Sequence, residues 1–286
     1  MSGMDHKAIV FNCHYNGLSI IQELGLHGIK CVAMDSVRSI GTFSKYAQYV
    51  RCPDPAEAES EFVDMLYEFC KKEEQKPVLF PTNDTWACAI SRYRDRLSEV
   101  SLPCVSDKNV VELLIDKTRF YHLGASKNWL TPKTWDFLTL QDNEIAFPIV
   151  AKPRARRFSS NRSRKTLHKQ LDALRLVLLQ DQDELEKFLY ENEGIRDYVI
   201  FQEFIHGNSA SMYTVGIYAD KNNKILGMFT GKKVRGYPPQ EGDCIIGENH
   251  SVPDYVIQNT ERIVKEIGYH GIAEFEYMHD EKTGEF

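Results

Sequence analysis

The stretch Phe147-Pro148-Ile149-Val150-Ala151-Lys152-Pro153 puts a lysine at the end of a short apolar run bounded by proline on both sides. A run of this length and composition reads as a buried strand. The prolines restrict the backbone around it, so Lys152 is held where its ammonium can meet an anion, and an ammonium is an effective point charge for phosphate. Taken alone, such a lysine is more often a solvated surface group, because lysine is rarely buried. The segments on either side decide between the two.

Upstream, Asp116-Lys117-Thr118-Arg119-Phe120-Tyr121 offers a second lysine, Lys117. Downstream, Val199-Ile200-Phe201-Gln202-Glu203-Phe204-Ile205-His206-Gly207 is an apolar strand with one acid near its end, closing on glycine. Such an edge can offer backbone N–H and C=O groups to a heteroaromatic ring such as adenine while Glu203 accepts from an exocyclic amine; an ordinary strand with an outward Glu is the alternative. Further on, Gly271-Ile272-Ala273-Glu274-Phe275-Glu276-Tyr277-Met278 precedes a turn from His279 to Gly284. The period of two puts Glu274 and Glu276 on one face, where two carboxylates can converge on a hard cation such as magnesium, or simply form the polar face of a half-exposed strand.

The first part of the chain has a different rhythm. Lys7 to Asn12 reads as a strand, Leu18, Ile21 and Leu24 recur at helical spacing up to Gly25 and Gly28, Lys30 to Met34 reads as the next strand, Phe62 to Cys70 as an amphipathic helix, and Pro77 to Phe80 as another buried strand. Alternating strands and helices predict an α/β unit with a parallel sheet covered on both sides. Ligands of such sheets collect beyond the carboxyl ends of the strands, which puts Asn12, His14, Asn16, Asn83 and Asp84 at one rim. More often, Asn and Asp in these places cap the next helix or form turns, which needs no ligand. The first strand is not followed by Gly-x-Gly-x-x-Gly, so a dinucleotide fold is unsupported.

A helix from Asp107 to Asp116 leads out of this unit. Beyond it the pattern becomes strand (Phe147 to Lys152), acidic helix (Asp181 to Glu193), strands Tyr198 to Phe204, Met212 to Tyr218 and Ile225 to Phe229 with a hairpin turn over Asp220 to Lys224, a polar loop, a helix from Tyr255 to Ile267, and the Gly271 to Met278 strand. The expected organisation is a parallel α/β domain over residues 1–115 and an α+β domain of antiparallel strands and packed helices over residues 116–286.

Composition sets limits. The chain has 286 residues, 42% apolar and 27% charged, enough for a substantial core and outside the disordered and membrane classes. A formal charge of −6 opposes general attraction to nucleic acid or anionic membrane, and no run approaches the length of a membrane span. Seven cysteines without a Cys-x-x-Cys spacing signal neither a zinc site nor a disulfide framework, and a cytoplasmic protein with free thiols is expected. The biased segment from Lys152 to Lys169 has eight Lys or Arg and no acid. Phe158 is its sole aromatic, which argues against a nucleic-acid contact.

The order Asp-Lys, Pro-Ile-Val-Ala-Lys-Pro, Gln-Glu-Phe-Ile-x-Gly and Gly-Ile-Ala-Glu-Phe-Glu-Tyr before a hairpin resembles the ATP-grasp superfamily over nearly the whole chain. The first unit, with Ser44-Lys45-Tyr46 and Pro81-Thr82-Asn83-Asp84-Thr85, resembles the preATP-grasp unit of carboxylate–amine ligases related to D-aspartate ligase and to the carbamoyl-phosphate synthase large chain. The resemblance implies ATP and Mg2+ as cofactors. Lys117 and Lys152 would contact the ATP phosphates; Gln202, Glu203, Phe204 and Ile205 would hold adenine; Asn208 sits where a ribose contact is found. Glu276 would be the first magnesium ligand, with Glu274 the other candidate. Lys232, Lys233 and Arg235, read as a loop after Phe229, lie where cations approach the transferred phosphoryl group, and Lys232 and Arg235 are the catalytic candidates.

Two departures from the family pattern stand out. The segment after Lys152 has none of the glycines that commonly cover the phosphates, so side-chain donors are the candidates there: Ser159, Ser160, Arg162 and Lys165; a solvated loop without apolar anchors is the equal alternative. The family's next strand, with a second magnesium carboxylate and an asparagine, begins where this sequence stops at Phe286, so the ATP-grasp domain is expected to be incomplete: either the gene is split or truncated, or a partner chain supplies the remainder, with a homodimer as the other partner expectation. The implied reaction is transfer of the γ-phosphoryl group to a carboxylate, giving an acyl phosphate for attack by an amine, which asks for positioning and charge neutralisation instead of a Ser or Cys nucleophile. Small-molecule carboxylate and amine substrates follow. Phosphorylation of bicarbonate and carbamate, and a non-catalytic ATP-binding module, are the alternatives.

Overall fold

The computed structural model describes residues 6–141, 144–155, 170–171, 174, 176–237 and 243–286. The chain divides into two compact units at Glu112/Leu113.

In the first unit, β1 (Ala8–Phe11), α1 (Tyr15–Leu26), β2 (Cys31–Asp35), β3 (Ala47–Arg51), α2 (Glu59–Cys70), β4 (Val78–Phe80), α3 (Asp84–Arg92), α4 (Arg94–Ser98) and β5 (Leu102–Pro103) follow one another. The strands form one sheet in the order β3-β2-β1-β4-β5, every pair parallel. β1 and β2 are apolar at nearly every position because both faces of the sheet are covered. On one side Phe11 stacks on Trp86 with centroids 5.5 Å apart and meets Phe62 edge-on at 5.7 Å. On the other, Ala8 and Val10 pack with Ile21, Cys31 and Ala33. β3 and β5 escape the sequence reading: the first is a half-exposed edge strand and the second only two residues long.

Helix α5 (Lys108–Ile115) runs across the division. The second unit then contains α6 (Lys117–Lys127), β6 (Thr134–Trp135), α7 (Phe137–Gln141), β7 (Ile149–Pro153), β8 (Val177–Leu179), α8 (Gln182–Glu191), β9 (Val199–Glu203), β10 (Met212–Ala219), β11 (Ile225–Tyr237), β12 (Asp243–Asn249), α9 (Asp254–Ile267) and β13 (Gly271–Met278). Two antiparallel four-stranded sheets result, β6-β9-β7-β8 and β12-β11-β10-β13. The α/β and α+β architecture expected from sequence is therefore present.

One expectation is overturned. The chain does not leave the sheet after Phe229: β11 continues to Tyr237 and pairs with β12, so Lys232, Lys233 and Arg235 are strand residues. The polar and glycine-rich composition that suggested a loop reflects an exposed, bulged outer ladder, with register shifts around Arg235.

Beneath this sheet, α9 buries Val256, Ile263 and Val264 and ends on Gly268, whose φ of +69° is the left-handed cap that glycine adopts at little cost. The Tyr277 hydroxyl hydrogen-bonds the Thr260 hydroxyl at 2.8 Å and accepts from the Asn259 amide at 3.1 Å. Tyr277, Phe275 and Ala273 thus face the helix side. By the alternation of a strand, Glu276 and Glu274 face the other way.

Candidate functional site

The site is built where β7, β9, α6 and β13 of the second unit come together. Asp116 caps α6, accepting from the Arg119 N–H at 3.3 Å, and binds Arg154 through both carboxylate oxygens, with Nε donating at 2.9 Å. Burial pushes the Asp116 carboxyl up, but the Arg154 and backbone donors outweigh it and hold the group below the usual carboxylate range. This pair ties the start of α6 to the end of β7. Lys117, the first helical residue, accordingly lies beside that strand end, its Nζ 3.4 Å from the Pro153 carbonyl oxygen. Lys117 thus reaches the residue that follows Lys152 on β7.

Lys152 lies on β7 opposite Ile200 of β9, on the same face as Val150 and Gln202. Its ammonium stands 5.3 Å from the centroid of the Tyr121 ring. Burial lowers its pKa to about 8, and the nearby Glu276 carboxylate only partly opposes the shift. Tyr121 is raised by burial and by the same Glu276 charge, while a hydrogen bond from the Gln202 side chain works against both. Gln202 is 2% exposed, and its Nε2 donates to Thr134 Oγ1 at 2.6 Å. Of the residues assigned to adenine, Gln202 thus braces Tyr121, the ring beneath Lys152. Tyr121 carries no charge to mark it in the sequence; its place one helical turn after Lys117 is the signal there.

At the end of β9 the chain turns outward through Phe204 and Ile205. The Glu203 carboxylate accepts from the Lys133 N–H at 2.7 Å, and the Glu203 N–H donates to the Lys133 carbonyl at 3.0 Å. Glu203 thereby clamps the segment before β6 onto β9. The Phe204 N–H donates to Pro148, whereas the Ile205 N–H has no acceptor among the described residues. Asn208 caps the short turn Ser209–Ser211, accepting from the Ala210 N–H at 2.7 Å and donating to Glu281 at 3.3 Å. Its amide serves the fold, as capping residues do.

Register separates the three cations of β11. Tyr213 of β10 pairs with Lys232, and Thr214 pairs with both Gly231 and Glu276. The face that carries Glu276 and Glu274 therefore carries Met212, Thr214, Gly216 and Tyr218 of β10 and Lys233, Gly231 and Phe229 of β11. Lys233, 8% exposed, reaches to 3.9 Å from Met212 Sδ on that face. Lys232 projects to the opposite face, over the Tyr213 ring at 5.1 Å. This catalytic candidate thus lies on the side away from Glu276, because a one-residue step along a strand reverses the side. Arg235 is an exposed residue at the bulge opposite Ile246.

Glu276 approaches Lys152, and Glu274 accepts from the Thr214 hydroxyl at 2.6 Å. Of the residues proposed to cover a phosphate, Ser159, Ser160, Arg162 and Lys165 lie outside the described residues. In the first unit, Asn83 caps α3 by accepting from the Trp86 N–H at 3.1 Å, Asp84 begins that helix, and Asn12 turns the chain after β1 with φ of +51°.

No family model matches the chain. A D-aspartate ligase from Enterococcus faecium (strain Aus0004) is 24% identical over 246 residues, which is 79% of this chain and 56% of that protein. An L-amino acid ligase from Bacillus licheniformis superposes with a TM-score of 0.65 at 16% identity, over 98% of this chain and 65% of its own. The biotin carboxylase domain of the Hydrogenobacter thermophilus 2-oxoglutarate carboxylase, solved with MgADP, ADP and bicarbonate, gives a TM-score of 0.65 at 15% identity over 98% of this chain and 62% of that one. This chain thus spans somewhat over half of the curated relative and somewhat under two thirds of these two structures. Its fold is that of the ATP-grasp proteins, and its sequence resembles that of a carboxylate–amine ligase.

Proposed function

We propose that the chain is the nucleotide-binding part of an ATP- and magnesium-dependent carbon–nitrogen ligase, which phosphorylates a carboxylate for attack by an amine. One observation carries the reading: a desolvated lysine on one sheet, Lys152, lies near enough to a carboxylate on another, Glu276, for that charge to act on it, three residues along the β7–β9 ladder from the strand end at Glu203. Buried ammonium groups are costly unless an anion completes them. The triphosphate would be that anion, with Lys117 and Lys152 on its oxygens and the unpartnered Ile205 N–H available to a ring nitrogen of adenine.

The residues present fit the two groups. Hard cations take carboxylate oxygens, and Glu276, with Glu274 two residues before it, offers them on the face that Lys233 shares. Magnesium, when bound, neutralises charge on the phosphate oxygens. For the chain's own part, Lys152 and Lys117 orient the terminal phosphoryl group, and the Tyr121 ring holds the Lys152 ammonium in place. The substrate carboxylate attacks phosphorus, ADP leaves, and the acyl phosphate then has a leaving group that an amine can displace. Such a step needs positioning and electrostatics with no covalent protein intermediate.

Among the described residues no helix is long and apolar enough to cross a membrane. Free, mostly buried cysteines agree with the reducing cytoplasm as the place of action. Calorimetric titration with ATP, with and without magnesium, tests the proposal. Binding that strengthens with magnesium and falls at least about tenfold in Lys152→Ala supports it; unchanged affinity in that variant removes Lys152 from the site.

A further inference from the structure

We propose that the exposed row Phe229, Tyr218 and Ile272 forms the wall of the carboxylic-acid subsite, and that the acid it takes carries an apolar side chain. This rests on the nucleotide reading above. Direction along β13 sets the location. Its Met278 end abuts the segment after β9, with the His279 N–H donating to the Ser211 carbonyl at 2.9 Å and the Glu281 N–H to the His206 carbonyl at 2.7 Å. A nucleotide with its base at that segment and its phosphates at Glu276 points its reacting end toward Gly271. At about 3.3 Å per residue, Ile272 lies roughly 13 Å beyond Glu276, past Glu274, where an acyl acceptor has to sit.

What waits there is apolar. Tyr218 pairs directly with Ile272, and Phe229 lies one step along the same face, opposite Gly216. These side chains are 45%, 53% and 50% exposed. Gly216, Gly227 and Gly231 put no side chains on the face between them, and a Cβ added at Gly231 would come within 3.0 Å of the Phe229 ring. The result is a shallow trough with a glycine floor and apolar walls, continuous with Glu274. Among the described residues of β10, β11 and β13 on this face up to Lys233, the one cation is Lys233 itself, paired with Gly247 of β12 and beside Met212 at the end away from the trough. Among the described residues of this face, an acid with a second carboxylate would meet Glu274 and apolar rings, with no cation beside them to offset its desolvation. An aliphatic or aromatic side chain instead removes Phe229, Tyr218 and Ile272 from water together with itself.

The test uses the full chain with magnesium and a non-hydrolysable ATP analogue. The analogue is titrated first; leucine, phenylalanine and aspartate, as both enantiomers, are then titrated into the loaded protein. Leucine or phenylalanine is expected to bind roughly tenfold or more tighter than aspartate. Phe229→Ala should weaken that binding about fivefold or more while analogue affinity stays unchanged. Analogue binding with aspartate equal or preferred, with no acid bound, or with Phe229→Ala indifferent overturns the subsite and leaves the nucleotide reading standing. The same holds if Phe229→Ala changes only the sedimenting mass, which would mark the row as a contact between copies. Failure of the analogue itself to bind overturns the nucleotide reading, and the subsite with it.

Discussion

The Lys152 ammonium rests 5.3 Å from the centroid of the Tyr121 ring, and Gln202, almost fully buried, holds the Tyr121 hydroxyl. A cation braced by an aromatic face keeps its charge available to an incoming anion. Tyr121→Leu removes the ring and is expected to weaken ATP binding roughly three- to tenfold, in line with a partly desolvated cation–π contact. Tyr121→Phe keeps the ring and should bind ATP within about twofold of the wild type, while losing about 1 kcal/mol of stability with the Gln202 bond. Calorimetry and denaturant melts on the two variants separate these effects; equal ATP affinity in the Leu variant would show that the ring plays no part.

The depressed pKa of Lys152 makes a statement about stability. Its native value of about 8 lies below the ordinary 10.5, so folding disfavours the charged form. The cost is full below pH 8, shrinks as pH rises from 8 to 10.5, and is absent above that. Lys152→Met is therefore expected to be more stable than the wild type at pH 7, by up to about 3 kcal/mol, with the advantage fading across that window. Chemical denaturation at pH 7 and at pH 10 checks this. A destabilised Met variant at pH 7 would mean that the native site already compensates the charge.

Binding should reverse the same shift. A triphosphate beside Lys152 favours its protonated form, so ATP binding at pH 8 to 8.5 is expected to take up a fraction of a proton, falling toward zero near pH 6.5, where Lys152 is already charged. Calorimetry in buffers of different ionisation enthalpy reads this number directly. Lys152→Ala should abolish the uptake even at ATP concentrations that saturate it.

The parts legible in the sequence were those set by local pattern. The strands around Lys152, Gln202 and Glu276, and the parallel unit before them, follow from apolar runs and their turns. Short strands such as β5 and β6 leave no periodic signal, since two residues cannot show one. The roles of Glu203 and Asn208 were hidden for another reason: each is tied to a residue about seventy positions away, Lys133 and Glu281, and sequence spacing says nothing of such contacts. Tyr121 was overlooked because a neutral ring beneath an ammonium has no charge signature.

Lys232 and Lys233 test how far the strand register decides function. Lys233 shares the face of Glu276, while Lys232 lies over Tyr213 on the opposite side. Lys233→Ala is expected to lower ATP affinity about tenfold or more, on the scale of about 1.4 kcal/mol per decade, and Lys232→Ala to leave it within about twofold. The reverse order of effects would mean that β11 is paired one residue out of the register described.

The two carboxylates should divide the metal unequally. Glu276 approaches Lys152, whereas Glu274 is engaged by the Thr214 hydroxyl at 2.6 Å. A carboxylate already accepting a short hydrogen bond must give up or share an oxygen before it can serve a cation, and hard cations such as magnesium favour free carboxylate oxygens. Glu276→Gln is thus expected to remove the magnesium enhancement of ATP binding, a loss of about tenfold or more in the presence of the metal, with little change in its absence. Glu274→Gln should keep most of the enhancement, because the Gln side chain can still accept from Thr214 and leaves Glu276 untouched. ATP titrations of both variants with and without magnesium distinguish the two. Equal losses would place both carboxylates on the metal, and a selective loss in the Glu274 variant would shift the metal one strand repeat toward Ile272, onto the ground assigned to the acid.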